Sequence, residues 1–122
     1  MQPTTFKGLS HTAIAAKSLH PDNATDPVLI AFIQQMGRDL GYDRFVTQSL
    51  LPRKDVPAAT LSCPTLVIAS AEDVLRPPEE VKELSEAIPG ASFKILSGSG
   101  HMLPLEQPQQ LATEITNWLI KN

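Results

Sequence analysis

The spacing of hydrophobic residues changes near residue 63 and divides the sequence into two parts. Before that point, apolar residues recur every three or four positions, which is typical of amphipathic helices. After it, short apolar runs alternate with helical patterns, which is typical of parallel βα units. The sequence therefore predicts one compact α/β domain, in which a helical segment, 1–60, precedes a β-α-β-α segment, 61–122.

The clearest helix of the first part is predicted to begin after Asp26, which can cap its N-terminus, with Pro27 at the first helical position. A second, shorter helix is predicted to end before Pro52. Because their apolar faces are narrow, both helices need another surface to cover, as a lid does. These faces either line an acyl pocket or pack on the core. They comprise Leu29, Phe32, Ile33, Met36 and Leu40 on the first helix, and Tyr42, Phe45, Val46, Ser49 and Leu50 on the second.

In the second part, the run at 65–69 lacks polar alternation, which predicts a strand buried on both faces, as in a parallel sheet. A helix follows from about Glu79, then a strand at 92–96 and a final helix from Pro108. Such a βαβ unit is right-handed in nearly all proteins. The inward positions of the two helices are predicted as Val81, Leu84 and Ile88 on the first, and Leu111, Ile115, Trp118 and Leu119 on the second.

Two polar residues follow the predicted strands. Asp73 comes after the first strand, and His101 comes after the second, beyond a glycine-rich turn. Because the carboxyl ends of adjacent parallel strands meet at one edge of the sheet, the two side chains should lie together. A carboxylate that accepts a bond from imidazole Nδ1–H fixes the ring's tautomer and leaves Nε2 free to act as a general base.

Several motifs in this order resemble the C-terminal stretch of the α/β-hydrolases, closest to the esterase-like group with a helical lid. The resemblance covers 62–122, and more loosely the lid at 25–55. It implies an ester or acyl hydrolase lineage, with Asp73 as the catalytic triad acid, His101 as the triad histidine and Glu72 as the competing carboxylate. The motifs are Cys63-Pro64-Thr65-Leu66-Val67-Ile68, Ala71-Glu72-Asp73, Pro77-Pro78, Ile88-Pro89-Gly90-Ala91, Gly100-His101 and Leu105-Glu106-Gln107-Pro108.

The sequence departs from that family at the nucleophile. Members carry it as the serine of a Gly-x-Ser-x-Gly turn that precedes the acid and the histidine, and no such motif occurs here. Ser97 and Ser99 lie in the histidine loop and are predicted to be turn residues. We therefore expect a truncated hydrolase that retains two triad residues and is inactive alone. The alternatives are a non-catalytic oligomeric binding or assembly module, and a subunit of a split hydrolase completed by a partner.

A two-stranded parallel sheet leaves its apolar edges exposed to water. This predicts that the chain self-associates, as a homodimer or a higher oligomer, through an exposed sheet edge. Two other arrangements would also cover the edge: a separate polypeptide that bears the missing N-terminal half, or lid helices that fold over the open side.

Composition narrows the remaining possibilities. The 122 residues have a net charge of −3 and no basic stripe, which argues against binding to nucleic acid or an anionic membrane. The chain has no apolar run long enough to span a bilayer and no signal-peptide pattern in residues 1–5, so a cytoplasmic location is expected.

The remaining candidate residues are expected to be structural. The single cysteine, Cys63, excludes an intrachain disulfide and is predicted to be a packed thiol. No cofactor and no metal site is predicted. His11 and His20 are predicted at the surface, since neither has a partner pattern. Glu106 is predicted to hold the loop after His101 through backbone contacts.

Overall fold

The computed structural model describes residues 6–122; residues 1–5, in which the sequence shows no signal-peptide pattern, lie outside this range. Helices come first, and β-α-β units follow, which confirms the predicted α/β class. The elements are α1 (His11–Ala13), which continues as a π-helix over Ile14–Ser18, a 3-10 turn (Pro21–Asn23), α2 (Pro27–Leu40), α3 (Tyr42–Ser49), a second 3-10 turn (Ala58–Thr60), β1 (Leu66–Ser70), α4 (Pro78–Ala87), β2 (Ser92–Leu96), α5 (Leu103–Glu106) and α6 (Pro108–Lys121).

The sheet of the described chain has two parallel strands, in the order β1-β2, with Leu66 opposite Ser92 and Ser70 opposite Leu96. Helix α4 packs against both strands. The carboxyl ends of the strands lie side by side, as predicted. The expectation that the first strand is buried on both faces is wrong for this chain: its first three residues are only half-buried, because no third strand or further helical layer covers them within residues 6–122.

The main hydrophobic core lies between the helical segment and the chain that follows β2. Its fully buried members come from the π-helix, the residue after it and α2. Met102, which precedes α5, and Leu105, which lies within it, pack against this cluster. The helical segment is therefore anchored directly beside His101. The buried members are Ile14, Leu19, Ile30 and Ile33.

Helix α2 begins as the sequence predicts, because Asp26 Oδ1 accepts hydrogen bonds from the backbone N–H groups of Val28 (2.9 Å) and Leu29 (3.3 Å). Its predicted inward face is only partly right. Ile30 and Ile33 are buried, whereas Phe32 is 53% exposed and Met36 is 40% exposed. Apolar residues occupy more than one face of this helix, so the pattern alone could not fix which face meets the core.

The helices of the second part show the same partial agreement. On α4, Ile88 just beyond the helix is buried, but Leu84 is 47% exposed, and the buried position is taken by Ser85. On α6 no residue is fully buried, and Leu119 is 60% exposed. No helix in residues 6–122 is long and apolar enough to cross a membrane.

Candidate active site

The two residues that the sequence singles out lie in contact at the carboxyl edge of the sheet. Asp73 follows β1 and His101 follows β2, and 3.0 Å separates Asp73 Oδ2 from His101 Nδ1. Because an ionised carboxylate only accepts hydrogen bonds, Nδ1 is the donor. The Asp73 side chain is 9% exposed and the His101 side chain is 40% exposed. The carboxylate is therefore shielded, while the imidazole remains accessible.

The backbone around Asp73 fixes the direction of its carboxylate. Asp73 Oδ1 accepts hydrogen bonds from the N–H groups of Leu75 and Arg76, both at 2.9 Å. The Asp73 N–H in turn donates to the carbonyl of Ser70 at the end of β1, at 3.2 Å. One oxygen is thus held by the following turn, and the other is directed to the imidazole. Such local bonds make Asp a favoured residue at turns.

The loop between β2 and His101 is held by side chains at the start of α6 and by the loop that follows β1. Gln107, at the N-terminus of α6, donates to the carbonyl of Gly98 at 3.1 Å, and Gln110 donates to the carbonyl of Ser97 at 3.0 Å. The Glu72 N–H donates to the carbonyl of Ser99 at 3.2 Å. Gly98 has a φ of +84°, which accounts for glycine at this turn position.

Glu106 joins this loop to the helical segment. Its Oε1 accepts from the Gly100 N–H (3.0 Å) and from the Ser99 hydroxyl (3.2 Å). Its Oε2 accepts from the His20 N–H and from the Asn23 side-chain amide, both at 2.8 Å. The sequence predicts backbone contacts of Glu106 in the loop after His101, whereas the structure has one at Gly100, the residue before His101. The bonds to residues of the helical segment were not predicted, since they join positions more than eighty residues apart.

Gly100 allows the two segments to approach closely. A Cβ atom at this position would lie 2.8 Å from the carbonyl carbon of Leu19 and 2.9 Å from the His20 nitrogen. On the other side of His101, the Met102 N–H donates to the carbonyl of Ser18 at 3.2 Å. Both chain neighbours of His101 therefore contact the end of the π-helix or the residues that follow it.

His20 is not the surface residue that the sequence predicts, although His11 is exposed. The His20 side chain is 17% exposed, and its Nε2 lies 3.7 Å from Glu72 Oε1. Its Nδ1 accepts a hydrogen bond from the Asp22 N–H at 2.9 Å. Glu72 Oε2 is buried and has no hydrogen-bond partner in the described chain. Glu72, the competing carboxylate, thus faces a second imidazole instead of His101.

Neither serine of the histidine loop is hydrogen-bonded to His101. Ser99 is fully buried, with its hydroxyl directed to the Gly100 carbonyl and to Glu106. Ser97 is exposed and lies in the bend after β2. Both therefore occupy turn positions, as predicted. Cys63 is exposed, and the prediction of a packed thiol is wrong, because the residue precedes β1 and is not covered by the core.

A cleft of about 700 Å³ lies beside the Asp73 end of the pair. Ala15, Ala16 and Leu19 form one wall, and the stretch 71–74 with Pro77 forms the other. The apolar residues of α2 and α3, which the sequence offers as a possible pocket lining, do not border it. The apolar wall comes instead from Ala15 and Ala16 of the π-helix and from Leu19, which follows it.

Comparison with known proteins identifies the class. The serine hydrolase family matches residues 10–115, and the chain belongs to that family. It is 28% identical to a thermophilic esterase from Thermogutta terrifontis, with a TM-score of 0.77 over 91% of this chain. It also superposes on the enol-lactonase from Burkholderia xenovorans LB400, with a TM-score of 0.79 at 21% identity over 90% of this chain. The latter likeness concerns the fold alone, which is that of the α/β-hydrolases.

The matches also show how much of each relative the chain represents. It spans 43% of the Thermogutta terrifontis esterase and 44% of the enol-lactonase. Over 65 residues it is 34% identical to RutD from Caulobacter sp. (strain K31), a protein to which carbamate hydrolysis is ascribed, and this stretch is 24% of that protein. The chain thus corresponds to less than half of the relatives it resembles.

Proposed function

We propose that this chain supplies the acid and the general base of a serine hydrolase triad that acts on esters or similar acyl compounds. In this proposal Asp73 is the triad acid and His101 is the base. The observation that carries it is the 3.0 Å contact between Asp73 Oδ2 and His101 Nδ1, formed by a shielded carboxylate and an accessible imidazole. Family membership and the resemblance to an esterase support the reaction class.

The geometry suits the proton transfers of such a reaction. With Nδ1 bonded to Asp73, His101 Nε2 has a free lone pair and takes the proton of a serine hydroxyl as its oxygen attacks the carbonyl carbon. The tetrahedral intermediate then expels the alcohol, which receives that proton from Nε2. Water, activated in the same way, hydrolyses the acyl-serine to the acid and frees the serine. Asp73 stabilises the imidazolium in both halves of the cycle.

The serine of this scheme lies outside the 122 residues. The sequence holds no Gly-x-Ser-x-Gly turn, and no serine in residues 6–122 is hydrogen-bonded to His101. We therefore propose that the chain by itself does not turn over esters. The cleft beside Asp73, with its small apolar wall, is the proposed site for the acyl group of the substrate.

A complementation experiment tests this function. The chain replaces the corresponding 43% of the Thermogutta terrifontis esterase, and the fusion is assayed with a short-chain nitrophenyl ester. We expect turnover by the fusion, loss of turnover on His101→Ala, and none by the isolated chain. Turnover by the fusion that survives His101→Ala would refute the role of His101. Turnover by the isolated chain would refute the need for an outside nucleophile.

Exposed apolar side chains favour a second candidate, a self-associating module. Ile95 on β2 is 53% exposed, and Leu119 and Ile120 at the end of α6 are 60% and 78% exposed. We propose that a second copy of the chain covers the exposed side of the two-stranded sheet at Ile95, as a symmetric dimer would. Light scattering of the purified chain decides the matter: a concentration-independent dimer supports it, whereas a monomer contradicts it. Ile95→Lys should dissociate the dimer, and Val74→Lys, a change at another exposed apolar site, should not.

A further inference from the structure

His101 is held in place by contacts that it does not make itself. Within residues 6–122 its ring is hydrogen-bonded to Asp73 alone, and its side chain is 40% exposed. Its chain neighbours, in contrast, are bound on both sides: Gly100 abuts Leu19 and His20, and Met102 donates to Ser18. The position of the imidazole therefore depends on how the stretch 18–23 is joined to the histidine loop.

Glu106 is the side chain that joins them. Its two oxygens accept four hydrogen bonds, two from the histidine loop (Ser99 and Gly100) and two from the helical segment (His20 and Asn23). Two of the donors are backbone N–H groups, one of them on the residue that precedes His101. Bonds to an ionised acceptor are about twice as strong as bonds between neutral groups. The carboxylate thus cross-links two segments of the chain that are distant in sequence.

From this arrangement we infer that Glu106 is a positioning residue for the Asp73–His101 pair. It fixes the position of the His101 backbone relative to the stretch 18–23, and so keeps Nδ1 within hydrogen-bond distance of Asp73. The inference rests on the proposed function, since it gives Glu106 its part in the reaction through His101. Glu106 itself does not touch the reacting atoms.

A near-isosteric substitution tests the inference. In Glu106→Gln one carboxylate oxygen becomes an NH₂ group, which donates and does not accept. Whichever way the amide is turned, this group faces a backbone N–H that can only donate, either that of Gly100 or that of His20. One backbone bond of the cross-link is therefore lost, although the shape of the side chain is kept.

The readout is the tautomer of His101, measured by long-range ¹H–¹⁵N correlation in the full 122-residue chain. His101→Ala identifies the resonances. In the unmodified chain we expect the Nδ1–H form that the bond to Asp73 requires. In Glu106→Gln we expect loss of that signature, while far-ultraviolet circular dichroism stays unchanged. Glu83→Gln, which alters an exposed acid on α4, is the matched control and should leave His101 unchanged.

A second variant covers the case in which Glu106→Gln does not fold. Asn23→Ala removes one of the four bonds and leaves the histidine loop untouched, so a smaller shift of the His101 signals is expected. A folded Glu106→Gln chain with an unaltered His101 tautomer, or a folded Asn23→Ala chain with unshifted His101 signals, would overturn the positioning role. If Asp73→Asn also leaves the tautomer unaltered, the pair on which the proposed function depends is refuted. If only Asp73→Asn changes it, the proposed function stands without Glu106.

Discussion

Two consecutive carboxylates beyond β1 each face an imidazole, and the two contacts differ in length and in support. Asp73 Oδ2 lies 3.0 Å from His101 Nδ1. Glu72 Oε1 lies 3.7 Å from His20 Nε2, which is beyond hydrogen-bond range. Both oxygens of Asp73 are bonded, whereas Glu72 Oε2 is buried and has no hydrogen-bond partner among residues 6–122. The side-chain carboxylate of Asp73 is thus held by several hydrogen bonds, whereas that of its neighbour Glu72 is not.

The two imidazoles also present opposite nitrogen atoms to their surroundings. His101 donates through Nδ1 and leaves Nε2 free. His20 accepts through Nδ1 from the Asp22 N–H, so its proton is on Nε2 and directed toward Glu72. A general base needs an unprotonated, accessible nitrogen. His101 provides one at Nε2. In His20 the unprotonated nitrogen is Nδ1, which is already bonded to the Asp22 N–H. The comparison supports the proposed assignment of the triad acid to the second acid of the Glu72-Asp73 dipeptide and not to the first.

The largest expected effect comes from Asp73→Asn. An amide at this position either turns its NH₂ toward the N–H groups of Leu75 and Arg76, or turns it toward His101 Nδ1 and makes that atom an acceptor. In the latter case the proton moves to Nε2 and the base is lost. We expect kcat of the fusion with the Thermogutta terrifontis esterase half to fall on the order of 10⁴-fold, the size seen for this change in a serine protease triad.

The matched control for Asp73→Asn is Glu72→Gln in the same fusion. Glu72 contributes no hydrogen bond to His101, so its loss in kcat should be far smaller. Equal losses for the two variants would mean that the acids are interchangeable, and the distinction between the pairs would then be untenable.

The sequence predicted one of these pairs and missed the other for a physical reason. Asp73 and His101 each follow a strand, and parallel strands carry their ends to one edge, so topology alone brings the residues together. His20 meets Glu72 only because the core formed by Ile14 and Leu19 seats the helical segment against the histidine loop. Nothing in the local pattern around His20 encodes that docking.

The fold shows the same division between local and long-range information. The cap at Asp26 and the parallel strands follow from local residue patterns and were predicted. Burial was not, because it depends on what covers each face: Phe32 is exposed where an inward position was expected, and Cys63 is exposed where a packed thiol was expected. The sequence pattern predicts that both faces of β1 are buried. The first three residues of this strand are only half-buried, since only two strands lie in residues 6–122.

Gly100→Ala should have the next largest effect. Gly100 makes the close contact with Leu19 and His20 on which the positions of both imidazoles depend. The added Cβ would lie 2.8 Å from the Leu19 carbonyl carbon and 2.9 Å from the His20 nitrogen, so the histidine loop must move away. Overpacking of this kind costs about 1–3 kcal/mol. Urea denaturation should show this loss in the free energy of unfolding, and the Asp73–His101 tautomer signature should weaken with it.

Gly41→Ala separates this steric effect from the general cost of replacing a glycine. Gly41 has a φ of +80° and a ψ of 165°, a conformation essentially restricted to glycine, and a Cβ there would meet nothing within 4 Å, so its cost is conformational, about 1–3 kcal/mol. It should leave the signals of both imidazoles unchanged. If Gly100→Ala likewise left them unchanged, the contact of the loop with Leu19 and His20 would have no bearing on either pair.

The smallest effect is expected for the His20–Glu72 pair itself. Its side chains are 17% and 35% exposed and are separated by 3.7 Å, so the attraction is weak and partly screened. A double-mutant cycle with His20→Gln and Glu72→Gln, followed by urea denaturation, should give a coupling energy of about 0–1 kcal/mol. A coupling of about 3 kcal/mol or more is the size expected when one partner of a buried pair is removed. Such a value would make the Glu72–His20 pair comparable to the Asp73–His101 pair. The basis for assigning the chemistry to one pair alone would then be lost.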